Sequence, residues 1–126
     1  MHDYFPERRT SRSDSVHEAL LLQLKASARR AGFSSLVLAD DQGLVIACAG
    51  NQTIGEYLAA LSPGLTPEFK TWHGKVLTNR GRVRLSIAPI KFEDSHIYIA
   101  ATEGASSQIH KELFTSGLGA VRILMN

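Results

Sequence analysis

Between Ser34 and Gly50 the chain reads SSLVLADDQGLVIACAG, two runs of aliphatic and β-branched residues parted by Asp41-Gln42-Gly43. An apolar run, a short polar break closing on Gly and a second apolar run specify a β-hairpin, because Gly takes the positive φ that a tight turn demands. Neither arm alternates. A strand that is apolar at successive positions is covered on both faces, so the hairpin predicts a sheet with helices on each side. A two-sided sheet that opens on a hairpin departs from the strand–helix alternation usual in small α/β enzymes.

The chain has 126 residues, 44% of them hydrophobic. That length suits one domain, which buries roughly two thirds of its unfolded surface without external staples. The single cysteine, Cys48, excludes an intramolecular disulfide and a multi-thiolate metal site, and is expected to pack as a small hydrophobe. No apolar run approaches the roughly 20 residues of a membrane span, and the opening MHDYFPERRTSRSDS holds acids where a signal peptide would be apolar. A cytoplasmic location is therefore expected. The formal charge of +2 is too small to imply nucleic acid. Arg8, Arg9, Arg12, Arg29, Arg30, Arg80, Arg82 and Arg84 form small basic clusters that read as solvated surface, without the interleaved aromatics that stack bases.

Residues 1–13 show little periodicity and are expected to be a flexible tail ahead of a domain spanning 14–126. Ser15-Val16-His17-Glu18 fits a capping box, and Val16, Leu20, Leu24 and Ala28, widened by Leu21, mark the buried stripe of a helix ending at Gly32. After the hairpin, Thr53-Ile54-Gly55-Glu56 offers a second capping box. Ile54, Tyr57, Leu58 and Leu61 then define a short amphipathic helix, ended by Ser62-Pro63-Gly64. Thr66-Pro67-Glu68 predicts one or two further helical turns, through Trp72. Lys75 to Asn79 reads as an edge strand that turns at Arg80-Gly81 into Arg82 to Ile90, with Pro89 as a bulge or strand end. Glu93-Asp94-Ser95 turns the chain into a central strand, His96 to Thr102. A last helix opens at Gly104-Ala105-Ser106-Ser107, with Ile109, Leu113, Gly117, Val121 and Leu124 as its stripe. Gly117 and Gly119 each cost about 1 kcal/mol relative to Ala in a helix interior, which close packing would offset.

Motifs that carry chemistry are missing. Neither GxxxxGK[ST] nor GxGxxG occurs, so nucleotide binding of the usual kinds is not expected, and GxSxG is absent. His2, His17, His73, His96 and His110 show no ligand spacing with a supporting Cys, Asp or Glu, which predicts no metal and no cofactor. Asp40-Asp41 and Glu93-Asp94 are paired carboxylates at turn tips, where acids serve local hydrogen bonding and water is hard to exclude. Trp72-His73 reads as an aromatic lid over the sheet edge. The sequence therefore points away from an enzyme.

The order helix, hairpin, helix, three antiparallel strands, helix resembles the roadblock/LC7 family. The resemblance is carried by LVLADDQGLVIACAG, by VRLSIAPIKFEDSHIYIAAT with Pro89 before an apolar residue and an acidic turn, and by the closing GLGAVRILM. It covers about Ser15 to Asn126. It implies a profilin-like α-β-β-α-β-β-β-α sandwich, a five-stranded antiparallel sheet with helices on both faces. The middle helix is commonly longer in that family, whereas Pro63 is expected to break it here. The resemblance further implies a homodimer, or a heterodimer with another roadblock-like chain, joined edge to edge with the middle helices side by side. Ile54, Tyr57, Leu58, Leu61, Lys75, Val76, Leu77 and Thr78 would form that interface. The platform would bind a small Ras-like GTPase through Glu56, Tyr57, Ala60, Phe69 and Trp72, regulating or scaffolding it without chemistry of its own. The alternative is a GAF-like sensory module holding a small ligand between the sheet and the Trp72 segment.

Overall fold

A computed structural model describes the backbone of residues 4–79, 81–104 and 109–125, with side chains from residue 14 onward in those stretches. Its elements are α1 (Tyr4–Ala31), β1 (Ser35–Ala39), β2 (Val45–Ala49), α2 (Gln52–Leu65), β3 (Trp72–Thr78), β4 (Gly81–Phe92), β5 (Ser95–Thr102) and α3 (Ile109–Met125). All strand pairs are antiparallel, in the order β2-β1-β5-β4-β3. This is the predicted α/β sandwich. α1 and α3 cover one face over Leu36, Leu38, Ile90, Ile97 and Ile99, and α2 covers the other over Val37, Ala39, Leu85, Ile87 and Tyr98. Every residue of β1 is buried, as its unbroken apolar run requires.

The hairpin turn is held by Asp40, whose Oδ1 accepts from the amides of Gln42 (2.9 Å) and Leu44 (3.0 Å), while Gly43 takes φ 81°. α1 presents its expected stripe, with Leu20 and Leu24 buried and Val16, Leu21 and Ala28 packed at the margin. It ends as predicted at Gly32 (φ 74°), where the amide of Phe33 donates to the carbonyl of Ala28 at 2.9 Å, the closing bond of a Schellman motif. In α3, Leu113 and Gly117 are buried, and a Cβ on Gly117 would stand 2.8 Å from Ile90 Cγ1. The glycine thus brings the helix down onto β4 and β5. The predicted opening of this helix at 105–107 lies outside the described residues.

Several boundaries differ. α1 is helical from Tyr4, so Ser15 lies inside the helix and does not cap it. Pro6 falls in the first turn, where amides have no intrahelical acceptor and the missing donor is not felt. The cap of α2 is Asn51, whose Oδ1 accepts from the Ile54 amide at 2.9 Å, and Thr53 sits in the first turn. Pro63 does not end α2, which continues to Leu65. Proline removes a single bond near the C-terminus, and the hydroxyl of Ser62 donates to the Leu58 carbonyl (2.8 Å) beside the gap. Thr66 starts no helix, because its hydroxyl donates back to Ser62 O at 2.7 Å as the C-terminal cap of α2. Residues 67–69 turn instead, with Phe69 at φ 57°, and Trp72 opens β3. Pro89 is neither bulge nor strand end, since β4 runs on to Phe92 in register with β5. β3 begins opposite Ile87, so Pro89 lies where β4 is itself an outer strand and needs no donor on that side.

Candidate functional site

The β3–β4 hairpin outreaches the rest of the sheet. β5 pairs with β4 only from Thr102 opposite Leu85 downward, whereas β3 and β4 go on pairing through Val76↔Val83 and Leu77↔Arg82 to Thr78↔Gly81. Beyond Arg84 the hairpin is a two-stranded arm, a form of marginal stability in water unless something packs on it. α2 supplies part of that packing. Tyr57 donates its hydroxyl to the carbonyl of Leu77 at 3.0 Å, and Thr53, Ile54 and Tyr57 close a groove of about 420 Å³ with Leu77, Thr78 and Asn79. Leu77 nevertheless remains 69% exposed and Tyr57 41%.

The predicted interface residues separate accordingly. Ile54, Tyr57, Leu77 and Thr78 meet in that groove, and Lys75 and Val76 precede it on the same outer strand. Leu58 does not belong with them. It is 0% exposed, sealed between α2 and the sheet, and has no surface left to present. Leu61 is half-buried against the same core. Helical spacing explains the error, because the stripe that marks an amphipathic helix is the one that faces its own sheet. Of the expected partner-binding residues, Glu56, Tyr57 and Ala60 share the exposed outer side of α2. Phe69 lies past the end of that helix, stacked on His96 with ring centroids 4.0 Å apart. Trp72 is half-buried against the α2-side core with its ring over Gly74.

One constellation was invisible to motif reading. His73 on β3 and His110 in the first turn of α3 meet with Nε2 and Nδ1 2.7 Å apart, and His73 Nδ1 lies 2.8 Å from Ser86 Oγ. The signal available was the alternation of β3, which puts His73 beside its register partner Ser86 on the α3 side of the sheet. Burial holds the imidazole of His73 below its ordinary pKa, and the ring of His110 lowers it further. Two facing ring nitrogens at this distance share one proton, so the pair ties the outer strand to α3 while at least one ring is neutral. Among the described residues no three His, Cys, Asp or Glu side chains are placed to hold a metal ion. The carboxylate pairs sit at turn tips as read from the sequence, with Asp41 Oδ2 accepting from Ser95 Oγ at 2.7 Å. Among the described residues no helix is long and apolar enough to cross a membrane.

Comparison with solved structures identifies the architecture. The fold is similar to that of MglB from Myxococcus xanthus, with a TM-score of 0.65 and 15% identity, covering 86% of this chain and 90% of that one. A roadblock/LC7 domain from Streptomyces avermitilis gives 0.64 and 17%, covering 84% and 98%. An MglB with a tetrameric arrangement gives 0.54 and 14%, covering 86% and 89%. No protein-family model matches the sequence, and no curated protein matches it. The chain thus has a roadblock/LC7-like fold, as its order of elements implied.

Proposed function

We propose that this chain is a non-enzymatic regulator or scaffold of a small Ras-like GTPase, acting in the cytoplasm as a dimer built on β3 and the N-terminal half of α2. The observation that carries the reading is the β3–β4 arm, an outer strand bearing the exposed Leu77 beside an apolar groove on α2. An arm of this kind gains most when a second arm pairs with it, and an outer strand with an apolar flank invites a second chain. A two-fold arrangement uses the same surface on both chains. The tetrameric arrangement of an MglB chain with this fold supports self-association, and the family resemblance supports the GTPase. On this reading the exposed Glu56, Tyr57 and Ala60 of α2 form the platform that the GTPase meets.

The test is a pulldown with candidate small GTPases from the same genome, each loaded with GDP or a non-hydrolysable GTP analogue. Binding that depends on the nucleotide is expected, because a regulator biases a switch only through different contacts with its two states. Failure of every candidate in both states, with the protein a folded dimer, would remove the GTPase and leave a scaffold for another partner.

A further inference from the structure

The opposite border of the sheet carries a second surface. β2 is the other outer strand and, among the described residues, pairs only with β1. Its sequence Val-Ile-Ala-Cys-Ala holds no charge and no proline, and of the usual guards of an exposed strand edge it has only the register shift opposite Leu38 and Ala39, which leaves Ile46 without a partner on β1. Helices flank it on both faces instead. A groove of about 800 Å³ runs along β2, walled by Leu21 and Lys25 of α1 on one side and by Glu56 and Ala60 of α2 on the other. The register with β1 turns Ala47 and Ala49 toward the α1 wall and Cys48 toward the α2 wall. The floor is therefore a strand edge with Leu44, Val45 and Ile46 at one end and the small Ala47 and Cys48 at the other, and each wall carries one charge of opposite sign.

We infer that this groove accepts an extended peptide segment of a partner protein, which adds to β2 as a sixth strand. Main-chain hydrogen bonds to the strand edge would supply affinity, and alternate side chains would read the two walls. Successive side chains of an added strand point to opposite faces, so the charges impose a pattern. The segment carries small apolar residues with one acidic side chain toward Lys25 and one basic side chain toward Glu56, an odd number of positions apart. A second copy of this chain does not fit the same slot, because its own β2 is flanked by α1 and α2 and the two sets of helices would collide. The surface is also distinct from the β3 arm, from which three strands separate it.

A displayed library of random twelve-residue peptides, selected on the full-length protein, tests this. Enriched peptides should show the odd-spaced acid–base pattern. A recovered peptide should slow amide exchange in Val45–Ala49 at least tenfold and leave β3 unchanged. Alkylation of Cys48, the chain's single cysteine, with a bulky maleimide should abolish capture, and selection on K25E/E56K should reverse the order of charges. Leu77→Asp, aimed at the dimer edge, should leave capture intact, which separates this inference from the proposed dimer; Glu56 and Ala60 are shared with the proposed GTPase platform. Failure to enrich any peptide, protection that appears on β3, capture that survives alkylation, or β2 protection that rises with protein concentration alone would each overturn it.

Discussion

The hydroxyl of Tyr57, in the second turn of α2, donates to the main-chain carbonyl of Leu77 at 3.0 Å, and this bond links the middle helix to the arm that overhangs the sheet. It fixes the two elements of the proposed dimer surface relative to each other before any partner arrives. Groups held in place beforehand lose less freedom on association.

Tyr57→Phe keeps the ring and removes the bond. A neutral hydrogen bond contributes about 1 kcal/mol net, so self-association should weaken roughly fivefold while the unfolding midpoint barely moves. Faster amide exchange confined to the arm, read by mass spectrometry, is the expected signature. Unchanged exchange and affinity would show that the bond orders nothing.

Gly55 is set by packing. A Cβ there would fall within the van der Waals shell of Cys48 Sγ, with Cys48 Cβ 3.3 Å away, which lets α2 lie directly on β2. Gly55→Ala should cost about 1–3 kcal/mol by overpacking. Combining it with Cys48→Ala should recover much of that loss, giving a favourable coupling in urea denaturation. Simple additivity would mean that the helix shifts to make room.

The His73–His110 contact predicts how stability changes with pH. The folded-state pKa of His73 lies below its ordinary value of 6.5, so in that window the unfolded chain binds more protons than the folded one. This stabilisation is present above about pH 6.5 and fades as pH falls through the folded-state value. Chemical denaturation between pH 5 and 8 should show stability rising with pH, and His73→Gln should flatten the profile over that range. A variant profile parallel to wild type would assign the dependence to other groups.

The sheet was legible because its signals are local. Two uninterrupted apolar runs around Asp41-Gln42-Gly43 specify both the β1–β2 hairpin and the layers above and below it. The stripes of α1 and α3 were equally plain, since helical spacing states directly which side is buried. Proline misled twice, at Pro63 and Pro89. Pro63 gives up one bond in the last turn of a helix that the sheet holds in place, and Pro89 lies where β4 has no neighbour on its outer side, both matters of what surrounds the residue in space. Ser15 and Thr66 carry the chemistry of a cap, yet one sits mid-helix and the other closes the preceding helix. The site was read less completely. Leu58 shares its spacing with the exposed Tyr57, and spacing alone does not separate the side facing the core from the side facing a partner. The meeting of His73 with His110, across 37 positions, exists only once the topology folds α3 back over the sheet.

Sedimentation of the purified protein at micromolar concentration, beside Leu77→Asp, tests the central claim most directly. Leu77 is 69% exposed, so an aspartate there disturbs little of the fold while placing like charges at a two-fold contact. The wild type is predicted to sediment as a dimer and the variant as a monomer with an unchanged circular dichroism spectrum. A wild type that remains monomeric at high concentration, or a variant that dimerises as well as the wild type, would contradict a dimer built on the β3 edge.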